Sequence, residues 1–339
     1  MPRYVIVGAG AVGASFAAAL SERTEVLVIA RGAALDHLRD HPLKFHASIG
    51  SRDVHLPVAA IGEVSLRTDD VLVLAVKTQH VGDVATALAW LPVHSDSGEV
   101  VGSAGELLPI VTTQNGLDAE RVLARWFTHI VASTVLISAR YTTLGEVRVG
   151  GRPYLGSLLL GEPYRSTEAG ATAATTFAAD LRASNFVVSE VEDITAIKAT
   201  KILHSVKNGL EVLAGDPDTR EKVGEAIKNE TRAVLAAAGI TPAESGALFI
   251  APDQTHLDAE LGVVAGQQST WQSFARGASS HEVDHLNGEI VLLARLHGVE
   301  APLNRRLQVL LGAASARGGG IELDGLDSLV ELTVAGVSP

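Results

Sequence analysis

The stretch that most restricts this chain is its beginning, RYVIVGAGAVGASFAAAL. Val5 to Val7 favour a strand, Gly8, Gly10 and Gly13 spell G-x-G-x-x-G, and Ala14 to Leu20 favour a helix. A strand that runs through this spacing into a helix is the phosphate turn of a dinucleotide-binding unit. Gly8 permits the tight turn, Gly10 lets the backbone approach a pyrophosphate, and Gly13 lets helix and strand pack closely. Together with Ala9, Ala11 and Val12 they would offer the phosphates free helix-N-terminal N–H groups and a partial positive charge. An early arginine before an apolar run is also how a signal peptide starts. The glycine pattern fits a phosphate turn better.

A second strand, EVLVIA, follows and ends at Ala30 and Arg31. This is where an acid would hold an adenosine ribose. No Asp or Glu stands at the strand end, and Asp36 lies five residues further on. A guanidinium there suits a 2′-phosphate, which it grips with several donors. The expected cofactor is therefore NADPH, the competing reading being that Arg31 is a solvated loop residue. Two more buried strands end in polar side chains. DDVLVLAVKTQHV (69–81) ends at Lys77, and LPIVTTQNGLDAE (108–120) ends at Asn115 and Gly116. Ligands of open α/β sheets sit beyond such carboxyl ends. Segment 131–160 reads as further strands, with a turn near Gly145, that complete the sheet.

From about Asp193 the pattern turns helical. In DITAIKATKILHSVKNGLEVLAG, Ala199, Ile202, Leu203, Val206, Leu210 and Leu213 form an apolar stripe. Lys198, Lys201, Ser205 and Asn208 fall on the other side. That row is either a solvated face or a catalytic row facing the nucleotide cleft. A lysine that loses water, or sits beside a second lysine, has its pKa lowered from ~10.4 and donates a proton more readily near neutrality. Further helices are expected over 219–240 and 288–299, and the tail after ARGGGIELDG is expected to be irregular. HEVDH (281–285) matches H-E-x-x-H, in which His281 and His285 would hold zinc and Glu282 would serve as base. Glu289 and Glu300 are the candidate third ligands. A zinc hydrolase has no use for a dinucleotide turn, so a polar helix face is the better reading and no metal is expected.

Bulk properties bound the rest. The 339 residues suffice for two domains, and 47% apolar residues supply a large core. Net charge is −12 with no long basic run, which argues against nucleic acid and anionic membranes as partners. Cysteine is absent, which excludes disulfides and thiolate chemistry. No segment approaches the ~20 apolar residues of a membrane span. We expect a cytoplasmic enzyme with an α/β Rossmann-like domain over residues 1–192 and an all-α domain over 193–339.

Taken in order, these residues resemble the ketopantoate reductase (2-dehydropantoate 2-reductase) family. The likeness runs from GAGAVG (8–13) through Arg31, VKTQ with Lys77, QNG with Asn115, and Asp193 followed eight residues later by Lys201. It ends with STWQSFARGASSHEVDHLNG (269–288), similar to the family's serine-rich turn and Glu-containing helix. The resemblance implies an active site between the two domains and NADPH-dependent reduction of a small-molecule 2-oxo acid. It makes Lys201 the proton donor and places Asn115 near nicotinamide and substrate. It sets Lys77 and Ala139 on the cofactor side, and puts Glu282 on the cofactor ribose or behind Lys201. Ser269 or Thr270 would meet the substrate carboxylate, with Ser205 and Asn208 beside it. Ser205 stands where the family often has Asn, Asp218 where a later Asn is usual, and Trp271-Gln272-Ser273 replaces its Met-Leu-Gln. A bulkier ketone or imine, or a non-catalytic NADPH-binding sensor, therefore stay open as alternatives, as does a homodimer.

Overall fold

The computed structural model describes residues 2–250, 255–258, 260–263, 268–275, 277 and 281–335. Its main sheet has eight strands: β1 (Arg3–Val7), β2 (Glu25–Ile29), β3 (Val58–Ala59), β4 (Asp70–Leu74), β5 (Ile110–Thr112), β6 (Ile130–Ile137), β7 (Gly156–Gly161) and β8 (Phe186–Glu190). They lie in the order 8-7-6-5-4-1-2-3. The run 3-2-1-4-5-6 is parallel throughout, the doubly wound order that leaves a crevice where the strand order reverses at β1. β7 then runs antiparallel to β6, and β8 parallel to β7. Strands covered on both faces need continuous apolar runs, as in the buried VLVL of β4.

The glycine-turn helix, Ala11–Leu20, is buried from Gly13 to Leu20. Its small side chains let it lie between the sheet and a second layer, while Phe16 supplies bulk against Phe177 and Phe186. That second layer corrects one expectation. Only Ile130–Ile137 and Gly156–Gly161 of segment 131–160 join the main sheet. Ala139–Thr143 and Glu146–Val149 instead pair with Leu43–Ala47 and Gly50–Val54 in a four-stranded sheet. The alternation that marks a strand does not say which sheet it joins.

Beyond β8 the chain becomes helical. Asp193 caps the helix Ile194–Ser205 by accepting from the Ala196 N–H at 2.9 Å. Pro217–Ala237, Val283–Leu296 and Pro302–Ala316 follow. Their core is built from Ile202, Val206, Ile227, Leu286, Ile290, Leu307 and Leu311 among others. One short strand breaks the helical pattern: Thr255–Leu257 pairs back onto Gly151–Pro153. The tail is not irregular, since Leu326–Ala335 is a helix whose Leu326 and Leu329 enter this core. Three glycines in a row hid it, and its short apolar face acquires meaning only against its partners. The stripe read over 199–213 is also not one helix. The α-helix stops at Ser205, and Asn208–Val212 is a separate 3₁₀ turn. No helix of the described residues is long and apolar enough to cross a membrane.

Candidate active site

The glycine turn explains itself in space. Gly8 sits at φ +115°, and a Cβ there would lie 3.0 Å from the Ala75 backbone, at the end of the neighbouring strand. A Cβ on Gly13 would fall 1.9 Å from the Gly8 carbonyl oxygen, so helix and turn touch without room for a side chain. At Gly10 the opposite holds: nothing lies within 4 Å of the Cβ position. Gly10 also caps the Ala11–Leu20 helix without any side-chain hydrogen bond. An open space over uncapped helical N–H groups fits the pyrophosphate of a dinucleotide. Ala9, Ala11 and Val12 are half-buried beside it.

Arg31 follows β2, is exposed, and has no hydrogen bond or ion pair among the described residues. His80 feels its charge: burial, then Arg31, pushes the His80 pKa below the ordinary histidine value. A cation kept free at this strand end suits a phosphate. His80 was not singled out from the sequence, although it stands one turn beyond Lys77 in VKTQH. Ala139 is buried in the apolar core that also receives the glycine-turn helix.

Lys77 and Asn115 emerge from the carboxyl ends of β4 and β5, and a buried side chain fixes both ends. Gln114 donates from Nε2 to the Leu74 and Val76 carbonyls, each at 2.8 Å. Among the described residues the Asn115 amide has no protein partner. Lys77 donates to Glu282 at 2.9 Å, and Thr78 donates to the same carboxylate through its hydroxyl at 3.0 Å. Glu282 precedes the helix Val283–Leu296, so this bridge joins the first half of the chain to the second. Burial would raise the Glu282 pKa, yet Lys77 and Thr78 outweigh it and hold the group below the usual carboxylate range.

Lys201 lies on the helix Ile194–Ser205, which packs against β6. Its ammonium donates to the Val135 carbonyl of β6. Burial first, and the charge of Lys198 second, bring its pKa down to about 8, while Glu282 pulls the other way. Lys198 has a different fate. It is 4% exposed, pairs with Glu120 at 2.5 Å and donates to the Gln114 carbonyl at 3.1 Å. The polar row of this helix is thus not a solvated face; the first half of the chain covers it. Ser205 is buried and spends its hydroxyl on the Lys201 carbonyl at 3.1 Å. Asn208 begins the 3₁₀ turn, against which the helix Ser269–Ala275 packs with Ser269 and Thr270 at its start. Ser279 and Ser280, from the serine-rich turn, lie outside the described residues.

A second bridge runs beside the first. His285 Nδ1 lies 2.9 Å from Asp118, and Arg121 grips Glu289 through contacts of 2.6 and 2.7 Å. Gly116 is needed where the two halves meet, because a Cβ there would lie 2.8 Å from the His285 carbonyl oxygen. These contacts also dispose of the H-E-x-x-H match. His281 precedes the helix and stacks on Phe274, while His285 faces Asp118 and Glu282 is committed to Lys77. Among the described residues no group of three His, Cys, Asp or Glu side chains could hold a metal. Glu120, Thr78 and His80 carried no local sequence signal, since their partners lie far along the chain.

Comparison with known proteins bears on the family and the fold. Residues 4–163 match the family described as ketopantoate reductase PanE/ApbA, and residues 194–315 match its C-terminal counterpart. No curated protein sequence gives a significant match. Among solved structures, a PanE/ApbA family ketopantoate reductase from Ralstonia eutropha JMP134 is 22% identical with a TM-score of 0.71, over 98% of this chain and 100% of that one. D-mandelate dehydrogenase with NADH and anilino(oxo)acetate is 20% identical with a TM-score of 0.72, over 97% and 100%. The 2-dehydropantoate 2-reductase from Methylococcus capsulatus is 21% identical with a TM-score of 0.69, over 93% and 97%. At such identities the likeness of structures is one of fold. The two family matches together span most of the sequence, and the chain belongs to the ketopantoate reductase family, whose members are nicotinamide-dependent oxidoreductases.

Proposed function

We propose that this chain reduces a 2-oxo acid to the 2-hydroxy acid at the expense of NADPH, with ketopantoate or a close analogue as substrate. The observation that carries the reading is Lys201, an ammonium with a pKa of about 8, held by the Val135 carbonyl of β6, in the sheet whose β1 leads into the glycine turn. The uncapped turn at Gly8–Gly13 receives the pyrophosphate, and the unpaired Arg31 receives the 2′-phosphate. The cofactor supplies the hydride when it is bound. The chain supplies everything else. Lys201 stabilises negative charge as it grows on the keto oxygen and then delivers a proton to it. The free Asn115 amide donates a hydrogen bond at the same centre. Glu282, fixed by Lys77 and Thr78, keeps a negative charge near Lys201 and so favours its protonated form. Ser269, Thr270, Ser205 and Asn208 form the side that meets the substrate carboxylate.

A second substrate class is supported by particular residues. Ser205 is smaller than the Asn often found at this place in the family, and Trp271 adds an aromatic surface in the helix Ser269–Ala275. D-mandelate dehydrogenase, a neighbour in fold, was captured with the aryl oxo acid anilino(oxo)acetate. The test is a panel of 2-oxo acids, from ketopantoate to aryl-bearing ones, assayed with NADPH and with NADH. Turnover of at least one acid, with NADPH preferred, is expected. Tight NADPH binding without turnover of any acid would overturn the catalytic reading and favour a sensor.

A further inference from the structure

Two lysines on one helix, a single turn apart, have opposite surroundings. Lys201 donates to the Val135 carbonyl of β6. Lys198 turns into the first half of the chain, where Glu120 and the Gln114 carbonyl hold it at 2.5 and 3.1 Å. The Thr112 hydroxyl donates to the same Glu120 oxygen, and the Ser133 hydroxyl donates to the Thr112 carbonyl at 2.6 Å. Gln114 ties this cluster to the ends of β4 and β5, next to Lys77 and Asn115. A continuous polar network thus links the helix of the proton donor to the strand ends opposite it. Stability alone does not call for such a pair, because well-packed apolar side chains of similar volume often serve as well or better. What they cannot supply is a fixed positive charge beside Lys201 and a directed bond to the Gln114–Asn115 peptide.

We propose that Lys198 is a positioning residue for the reaction: clamped by Glu120 and the Gln114 carbonyl, it fixes the helix of Lys201 against the strand end that bears Asn115 and keeps a second positive charge beside the proton donor. This rests on the reading of Lys201 as that donor. The charged groups that act on Lys201 are Lys198 from its own helix and Glu282, which stands at the start of the helix Val283–Leu296 and is paired with Lys77. Lys198 lowers the Lys201 pKa and Glu282 raises it, so losing Lys198 shifts the balance upward.

Three variants test this: Lys198→Arg, Lys198→Met, and Lys198→Met with Glu120→Gln. In the double variant no charge is left buried alone, so it carries the test if the single one fails to fold. The first readout is the titration of the Lys201 side chain by NMR in ¹³C-lysine-labelled protein without substrate, the signal being assigned by its loss in Lys201→Met. The second is the pH profile of turnover with NADPH and an active 2-oxo acid. The parent and Lys198→Arg are expected to titrate near 8. The double variant is expected to move up by about one unit towards the ordinary lysine value of ~10.4, with the alkaline limb of the profile moving equally. An unchanged Lys201 midpoint in the folded double variant overturns the proposal. If the NMR midpoint moves but even the parent turns over no 2-oxo acid, the positioning stands and the reading of the reaction fails.

Discussion

The two walls of the cleft are built from different materials. The proposed nucleotide wall is mostly backbone, a glycine at φ +115° and an uncapped helix end, with one exposed arginine side chain beside them. The proposed catalytic wall is side chains paired across long sequence separations, Lys77 with Glu282 and Lys198 with Glu120. A backbone site binds any dinucleotide phosphate with little adjustment. A side-chain site is tunable, but each substitution in it moves several partners. Variants on the nucleotide wall should therefore change cofactor affinity alone, and variants on the catalytic wall should change rate and pH dependence.

The largest effect is expected from Lys201→Ala. Turnover should fall roughly 10²–10⁴-fold while NADPH binding, measured by fluorescence titration, survives. The same variant should melt at a higher temperature at neutral pH. An amine whose folded pKa lies below its unfolded value costs stability wherever it is protonated, and here that cost is present below about pH 8 and fades towards 10.5. Lost cofactor binding would mean that the two walls are not separable in this way. Next in size is Arg31→Ala. Affinity for NADPH should drop roughly 10–100-fold, the worth of a charge-assisted hydrogen bond, with NADH affinity unchanged. Equal losses for both cofactors would remove the 2′-phosphate from Arg31.

The smallest effect belongs to the second bridge. The hydrogen bond that His285 donates to Asp118 raises the His285 pKa above the ordinary histidine value. A raised histidine contributes stability that is complete below its unfolded value of ~6.5 and is lost as pH rises through the folded one. His285→Gln should therefore flatten the decline in melting temperature between acidic and mildly alkaline pH. The pair is partly exposed, so the effect should be no more than about 1 kcal/mol. Melts of the two proteins across that range decide it; parallel curves would show that the bridge adds nothing.

The same contrast explains what could be read in advance. The glycine turn, the strands around it and the polar ends at Lys77 and Asn115 follow from local pattern, because a parallel sheet requires continuous apolar runs and a phosphate requires close backbone approach. The catalytic wall resists such reading. Lys198 and Lys201 lie on one polar row, and periodicity gives them the same standing; only Glu120, 78 residues earlier than Lys198, separates an anchor from a donor. The tail helix was missed for a related reason, since Leu326 and Leu329 make a convincing apolar face only where other helices receive it. His281 and His285 show the converse case, a local match whose two histidines the fold commits to Phe274 and Asp118.

The central claim concerns the protonation of one amine, and the pH dependence of kcat/KM tests it most directly. With NADPH and a 2-oxo acid that is turned over, the rate should be level near neutrality and decline above about pH 8, as the Lys201 ammonium loses its proton. A rate that stays level up to about pH 10, where an ordinary lysine titrates, would contradict the assignment of Lys201 as the donor.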